Sequence, residues 1–197
     1  MSASVITRLS AMSRWQPDAR GRLARAALDL YEEHGFDQTT TAQIAERAGV
    51  TERTYFRHFA DKREVLFDGS SLLEDRLAEG IGQPPATETP FAVAREAFAR
   101  MASALEDRGD FARRRAAVVA ATPRLQEREL LKLTTLRDAA AAALGLRDVP
   151  EPTASMLAEV GVAAFRVGFE AWVSGGHGRP IADEVRAAFD AIRDAVA

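Results

Sequence analysis

Apolar residues recur at intervals of three and four along almost the whole chain, which is the spacing that places them on one face of an α-helix. No stretch alternates apolar and polar residues over the length of a strand. Glycine and proline interrupt the helical pattern, most clearly at residues 82–90, where the segment GQPPATETP holds four of them. The sequence therefore predicts an all-α protein of about nine helices, near residues 18–34, 40–48, 51–59, 61–80, 91–106, 111–121, 123–145, 153–174 and 181–196.

Several classes of protein are disfavoured by composition. The 197 residues contain no cysteine, which excludes disulfides and thiolate metal sites and suits a reducing cytoplasm. No apolar run approaches the ~20 residues that a membrane-spanning helix needs. Residues 1–17 lack the apolar stretch of a signal peptide, so we interpret them as a flexible extension. The alternative, an arm that touches DNA, depends on Arg8 and Arg14.

Charge is distributed unevenly over a mildly acidic chain, whose formal net charge is -3. Residues 1–67 hold ten Lys or Arg and nine Asp or Glu, whereas residues 68–197 hold sixteen and twenty. This balance argues against a general binder of polyanions. Any contact with nucleic acid must depend on a local cluster of cations.

Such a cluster lies in the second of two short helices that a tight turn at Gly49 joins into a helix-turn-helix. Tyr55 and Phe59, four residues apart, are expected to face inward. The opposite face then carries two guanidiniums, a carboxylate and an aromatic ring, on Glu52, Arg53, Phe56 and Arg57. The alternative is an ordinary amphipathic surface helix.

The chemistry of that outer face suits double-stranded DNA. Arginine can form a bidentate pair with guanine, and a carboxylate can accept a hydrogen bond from cytosine. Hydroxyls and cations suited to phosphate surround the face, on Thr41, Thr54, His58 and Lys62. The pattern thus predicts a recognition helix that presents its N-terminal residues to base edges.

Residues 23–67 resemble the DNA-binding head of the TetR (tetracycline-repressor-like) transcriptional regulators. The matching positions share the order and spacing of the family pattern, at Ala26–Ala27, Gly35–Phe36, Thr40–Thr41, Ile44–Ala45, Ala48–Gly49–Val50, Thr54, Phe59, Lys62 and Leu66. The resemblance implies base contacts by Glu52, Arg53 and Arg57, and phosphate contacts by the four residues named above. One departure is Phe56, where the family usually has a tyrosine; its ring is expected to contact a thymine methyl instead.

The resemblance also implies a division of the chain into a helix-turn-helix head (residues 18–67) and a helical body (residues 68–197) that binds a small molecule and forms the homodimer. Residues 121–144 further resemble the C-terminal domain of TetR-type regulators associated with mycofactocin and acyl-coenzyme A sensing. A small hydrophobic ligand, of which an acyl thioester is one example, is the partner that this implies.

The aromatic, Met and Leu residues in the helices of the body are candidates for the lining of a ligand pocket. These are Phe91, Phe98, Met101, Leu105, Phe111, Leu133, Leu136, Met156, Phe165, Phe169 and Trp172. The alternative for each is ordinary core packing. The consecutive Arg113, Arg114 and Arg115 suggest an anionic ligand, against the alternative of a solvated helix face.

Two stripes in the last helices are candidates for the dimer interface. They consist of small residues in the helix at 153–174 and aliphatic residues in the final helix: Gly161, Gly168, Ile181, Val185, Ala188 and Ile192. Small residues allow helices to approach closely, and two such helices from each subunit would form a four-helix bundle. The alternative is packing within one subunit.

No catalytic constellation is apparent, and we expect neither an enzyme nor a cofactor or metal site. The three histidines, His34, His58 and His177, lie in separate segments, and no nucleophile elbow, Walker loop or HExxH motif occurs. The leading hypothesis is a dimeric, ligand-responsive DNA-binding regulator that acts as a repressor on a palindromic operator and is released by the small hydrophobic molecule. The competing hypothesis is a helical small-molecule-binding protein or enzyme with an incidental helix pair.

Overall fold

The computed structural model describes residues 18–85, 87–175 and 178–195. Over these ranges the chain forms no strand and nine α-helices, which confirms the predicted fold class and helix count. They are α1 (Ala19–His34), α2 (Thr41–Arg47), α3 (Glu52–His58), α4 (Ser70–Gly82), α5 (Pro90–Ser103), α6 (Gly109–Ala120), α7 (Pro123–Gly145), α8 (Thr153–Ser174) and α9 (Ile181–Ala195). The predicted extension at 1–17 lies outside the described residues. None of the described helices is long and apolar enough to cross a membrane.

Local sequence signals explain the ends of the short helices in the head. Thr40 and Gln43 form a capping box at the start of α2, and the Thr51 hydroxyl accepts a hydrogen bond from the Thr54 amide at 3.2 Å at the start of α3. Between them Gly49 has a φ of 68°, a left-handed conformation that favours glycine. The backbone therefore turns tightly enough for α3 to pack across α2.

The predicted helix at 61–80 is wrong, because the chain is interrupted before α4. A 3-10 turn occupies Glu64–Leu66, and Gly69 then adopts a φ of 90°. The Asp61 carboxylate accepts hydrogen bonds from the amides of Arg63 (2.7 Å) and Glu64 (3.3 Å), so it holds the start of this turn. We call residues 64–70 the junction segment, since they connect the recognition helix region to α4.

Two clusters of buried apolar side chains form the core. The body cluster joins α4, α5, α7, α8 and α9. The head cluster is formed mainly by residues 23–67, but it also includes Val118 and Val119 of α6 and Leu125 of α7. The head therefore packs directly on two helices of the body.

The stripes predicted for the dimer interface pack within the subunit instead. A Cβ on Gly161 would lie 2.1 Å from the Phe98 ring of α5, and one on Gly168 would lie 2.7 Å from the Val185 amide nitrogen of α9. Ile181 and Val185 are fully buried, while Ala188 and Ile192 pack against the body cluster. The small residues thus serve the close approach of α8 to its own neighbours, as the alternative interpretation held.

This packing makes Gly168 a sensitive position. We expect Gly168→Ala to lower the free energy of unfolding by about 1–3 kcal/mol, because the new methyl group meets the backbone of α9, which cannot move aside cheaply. Gly145→Ala is the matched control, since nothing lies within 4 Å of its Cβ position and alanine favours a helix. Urea unfolding of both variants measures the difference, and equal stabilities would contradict this account of α8.

Candidate nucleic-acid interface and ligand cavity

The α3 helix presents the face that the sequence predicts. Tyr55 and Phe59 are buried in the head cluster, and the Tyr55 hydroxyl donates to the Asp61 carbonyl at 3.0 Å. The opposite face is exposed along its length, and the Phe56 ring is 54% exposed. This face consists of Glu52, Arg53, Phe56 and Arg57. The face thus combines one exposed aromatic ring with two exposed guanidiniums and a carboxylate.

The two guanidiniums on this face are available to a partner. Arg53 and Arg57 form no ion pair or hydrogen bond with any described residue. Glu52, in contrast, accepts a hydrogen bond from the Thr41 hydroxyl at 2.6 Å, which ties the start of α3 to α2. The positive charge of the face is therefore unneutralised at both arginines, while its one carboxylate already has a polar partner.

Lys62 requires a correction to the predicted set of phosphate contacts. Its ammonium donates to three backbone carbonyls of the loop between α1 and α2, those of Phe36 (2.8 Å), Thr39 (3.0 Å) and Asp37 (3.3 Å). It also lies 4.4 Å from the centroid of the Phe36 ring. Because an ammonium has three donors, none is left for a phosphate without breaking this loop. Burial accordingly lowers the pKa of Lys62.

His58 also differs from the prediction, because its imidazole is turned partly into the protein. The Nε2 atom is buried without a hydrogen-bond partner among the described residues. Burial lowers the pKa of His58, and the neighbouring charges of Arg57 and Arg20 lower it further. This lowering favours the uncharged ring, and the phosphate contact of His58 stays a prediction. Thr54 remains partly exposed, with its hydroxyl 3.0 Å from that of Thr51.

The role of Lys62 in the loop leads to a prediction about stability. We expect Lys62→Met to lower the free energy of unfolding by about 1.5–3 kcal/mol, the range for hydrogen bonds to a charged group. Arg63→Met is the control, because its ion pair with Asp61 is largely exposed and contributes about 0–1 kcal/mol. Chemical denaturation of both variants separates the cases. If the Lys62→Met protein were as stable as the unmodified protein but bound DNA more weakly, the predicted phosphate contact of Lys62 would be supported instead.

Arginines of α6 and α7 connect the body to the head. Arg114 forms ion pairs with Asp29 and Glu32 of α1, and hydrogen bonding to these two carboxylates raises its pKa. Arg128 makes a bidentate contact with Glu64 of the junction segment, at 2.6 and 3.0 Å. The position of the head on the body is thereby fixed by charge-assisted hydrogen bonds as well as by apolar packing.

A cavity of about 450 Å³ lies in the body beside the junction segment, a size suited to a drug-sized ligand. Its walls come from residues 66–73, from the connection between α5 and α6, and from α6, α7 and α8. Five of the residues proposed from sequence line it, and all five are apolar: Leu105, Phe111, Leu133, Phe165 and Phe169.

The other predicted lining residues lie elsewhere. Phe98, Met101 and Leu136 are fully buried in the body cluster and do not border the cavity. Trp172 is buried beside a different surface depression, next to Gly109. Phe91 packs on Phe189, with ring centroids 5.6 Å apart, and Met156 is 64% exposed on α8. For the buried residues, the alternative of ordinary core packing is therefore the better description.

The polar wall of the cavity was not predicted as a unit. It consists of Arg115 from α6 with Glu129 and Lys132 from α7, whose side chains are 11%, 25% and 13% exposed. The sequence signal was present, because Arg115 belongs to the run of three arginines and the other two stand three residues apart on one helix face. What the sequence did not indicate is which of the three arginines lines the cavity, and the structure places Arg115 there.

Within this wall the Glu129 carboxylate lies between two cations. It forms an ion pair with Arg115 and lies 3.4 Å from the Lys132 ammonium. Burial lowers the pKa of Lys132 to about 8, and the charge of Arg115 contributes in the same direction. Burial alone would raise the pKa of Glu129, but the two cations outweigh it and the pKa falls. The wall therefore holds one more positive than negative charge in a largely desolvated place.

Known proteins match both parts of the chain. The model for the tetR family of bacterial regulatory proteins matches residues 23–68, and the model for the MftR C-terminal domain matches residues 88–197. Over 88 residues the chain is 36% identical to the HTH-type transcriptional regulator TcmR of Streptomyces glaucescens. That match covers 45% of this chain and 39% of TcmR, so the chain spans about two fifths of this relative.

Two solved structures share the fold over most of the chain. Thermus thermophilus FadR, a TetR-family repressor in complex with lauroyl-CoA, is 24% identical with a TM-score of 0.54, over 88% of this chain and 93% of FadR. SmeT, the repressor of a Stenotrophomonas maltophilia multidrug efflux pump, is 20% identical with a TM-score of 0.57, over 89% of each chain. With family models matching the head and more than half of the chain beyond it, this protein belongs to the tetR family of bacterial regulatory proteins, with a C-terminal domain of the MftR type.

Proposed function

We propose that this protein is a DNA-binding transcriptional regulator that acts as a homodimer and releases its operator when a small hydrophobic molecule enters the cavity. FadR and SmeT are described as repressors, and FadR is solved with an acyl thioester, lauroyl-CoA. Repression is therefore the direction of control that we adopt for this chain. The two available guanidiniums on α3 are the groups that would read the operator.

The main support for this proposal is that the junction segment both follows the recognition helix and borders the cavity. Leu66, Phe67 and Gly69 belong to it, and they also line the cavity. The same few residues follow the recognition helix along the chain. A molecule that fills the cavity thus touches the segment that sets the position of α4 relative to the head.

Phe67 and Arg115 provide the physical contacts between the two sites. The centroid of the Phe67 ring lies 4.6 Å from the guanidinium of Arg115 and 4.9 Å from that of Arg128. Arg115 also donates from Nε to the Leu66 carbonyl at 2.7 Å. A ligand that moved either side chain would alter the junction segment, and operator affinity and ligand affinity would then change by the same factor.

The homodimer is proposed to form through the outward face of α8. Met156, Val160, Ala163 and Val167 follow one another at intervals of four, three and four residues, so they share one stripe. Met156 and Val167 are 64% and 59% exposed. To bind a palindromic site, the two α3 helices of such a dimer have to reach successive major grooves, ~34 Å apart.

Selection of duplexes from a random-sequence pool tests the proposed function. We expect the enriched sequence to be palindromic, and the logarithm of its binding constant to fall with the logarithm of salt concentration, with a slope of about -0.9 for each phosphate neutralised. The control is an enriched duplex with one half-site scrambled. No enrichment, or binding that does not respond to salt, would favour a helical protein whose helix pair is incidental.

A further inference from the structure

The polar wall of the cavity is the feature that identifies a ligand class. Arg115, Glu129 and Lys132 border the same space as Leu105, Phe165 and Phe169. Across the whole lining, four cationic and three anionic side chains occur, so the surplus is positive. An apolar chamber with a surplus cation at one wall is complementary to a molecule with an apolar body and one negative charge.

Burial makes this surplus positive charge energetically costly. The three side chains of the wall are mostly withdrawn from water, and a desolvated cation without its own counter-charge is unfavourable. Glu129 is shared between Arg115 and Lys132, so one carboxylate serves two cations. A second anion beside Lys132 would complete a set of two cations and two anions.

We propose, on the basis of the proposed function, that the ligand is an apolar carboxylic acid whose carboxylate binds at Lys132 and Arg115, with its hydrocarbon part against Leu105, Phe165 and Phe169. A carboxylate matches a guanidinium and an ammonium held side by side, and its single negative charge equals the one surplus positive charge of the wall. The Lys132 pKa of about 8 fits this assignment, because an added anion favours the charged ammonium.

Binding at this wall would also reach the junction segment. Arg115 is the side chain that donates to the Leu66 carbonyl, and its guanidinium lies over the Phe67 ring. A carboxylate that draws Arg115 toward the cavity competes directly with these contacts. A ligand acts as an effector only if it binds one conformation of the protein more tightly than the other. The charged head group would provide this difference, because it binds better when Arg115 has moved toward the cavity.

Isothermal titration calorimetry with dodecanoate and methyl dodecanoate, both below their aggregation concentrations, tests the head group. We expect the full-length protein to bind the carboxylate about tenfold or more tightly than the ester, the effect of one charge-assisted contact. Lys132→Met should remove about that factor for dodecanoate and leave the ester unchanged. Glu129→Gln should act in the opposite direction and tighten dodecanoate binding, because it removes the competing carboxylate.

Opposite effects of two neighbouring substitutions cannot arise from a general loss of folding, so the pair keeps the assignment testable. Equal affinities for acid and ester, no binding of dodecanoate, or tight binding of lauroyl-CoA with none of dodecanoate would each overturn it. The proposed function is judged separately, by release of the selected duplex. If the neutral ester or lauroyl-CoA releases the duplex, the regulator stands and only the carboxylate assignment fails.

Discussion

The variant Arg53→Ala/Arg57→Ala is expected to lose specific DNA binding by about 2–6 kcal/mol, which is the combined effect of removing two bidentate arginine contacts. Both side chains are exposed on α3 and have no partner among the described residues, so their removal leaves the head intact. Fluorescence anisotropy with the selected duplex and with a scrambled duplex measures the change. We expect the loss to be confined to the selected duplex, since phosphate contacts are independent of sequence.

Arg76→Ala is the matched control for this experiment. Arg76 is also exposed and has no partner in the described part of the chain, but it lies on α4, outside the head. The Arg76→Ala protein should bind both duplexes with the affinities of the unmodified protein. If the double variant kept its preference for the selected duplex, the recognition face would be elsewhere than on α3.

Replacement of Arg115 by methionine is expected to have the largest effect on stability, a loss of about 3 kcal/mol or more in the free energy of unfolding. Arg115 is a buried charge with an ion pair to Glu129, a hydrogen bond to the Leu66 carbonyl and a contact with the Phe67 ring. Removal of one partner from a buried pair costs about 3–5 kcal/mol. In the variant, Glu129 still has Lys132 at 3.4 Å as a partner, so we expect a loss of stability near the lower end of this range.

The comparison for Arg115 is Arg124→Met. Arg124 also connects the body to the head, through an ion pair with Asp37, but its side chain is 68% exposed and that of Asp37 is 72% exposed. Such a pair contributes about 0–1 kcal/mol. Urea unfolding followed by circular dichroism gives both values. A loss below about 1 kcal/mol for Arg115→Met would mean that the polar wall does not hold the head on the body.

The sequence predicted the head better than the body, for a physical reason. In α3, the spacing of Tyr55 and Phe59 assigns the inner face, and a helix of two turns leaves only one opposite face for Arg53 and Arg57. Local periodicity was therefore sufficient to place them. It was not sufficient for Lys62, because its three carbonyl partners lie in a loop more than twenty residues earlier in the chain.

In the body, each helix has neighbours on several sides, so an apolar residue does not reveal which space it faces. Phe98 and Leu105 occur seven residues apart with similar sequence signals, yet the first is in the core and the second lines the cavity. The glycines of α8 likewise indicated a close helix approach without indicating whether the neighbour was α9 or a second subunit. Tertiary packing decides both questions, and periodicity does not contain that information.

We expect an occupied cavity to weaken operator binding. Because the chain contains no cysteine, this can be tested without knowledge of the ligand. Ala116 lines the cavity and is partly exposed, whereas the adjacent Ala117 is exposed and does not line it. Cysteine at either position would be the single thiol in the chain. Octyl methanethiosulfonate would then place the same apolar chain inside the cavity or outside it.

The decisive measurement is the dissociation constant of the selected duplex for labelled Ala116→Cys and labelled Ala117→Cys, with complete labelling checked by mass spectrometry. We expect the octyl group at 116 to weaken binding about 5- to 150-fold, the usual range of coupling between two sites. The octyl group at 117 should leave the constant unchanged. Equal affinities for the two labelled proteins would contradict control of DNA binding by this cavity.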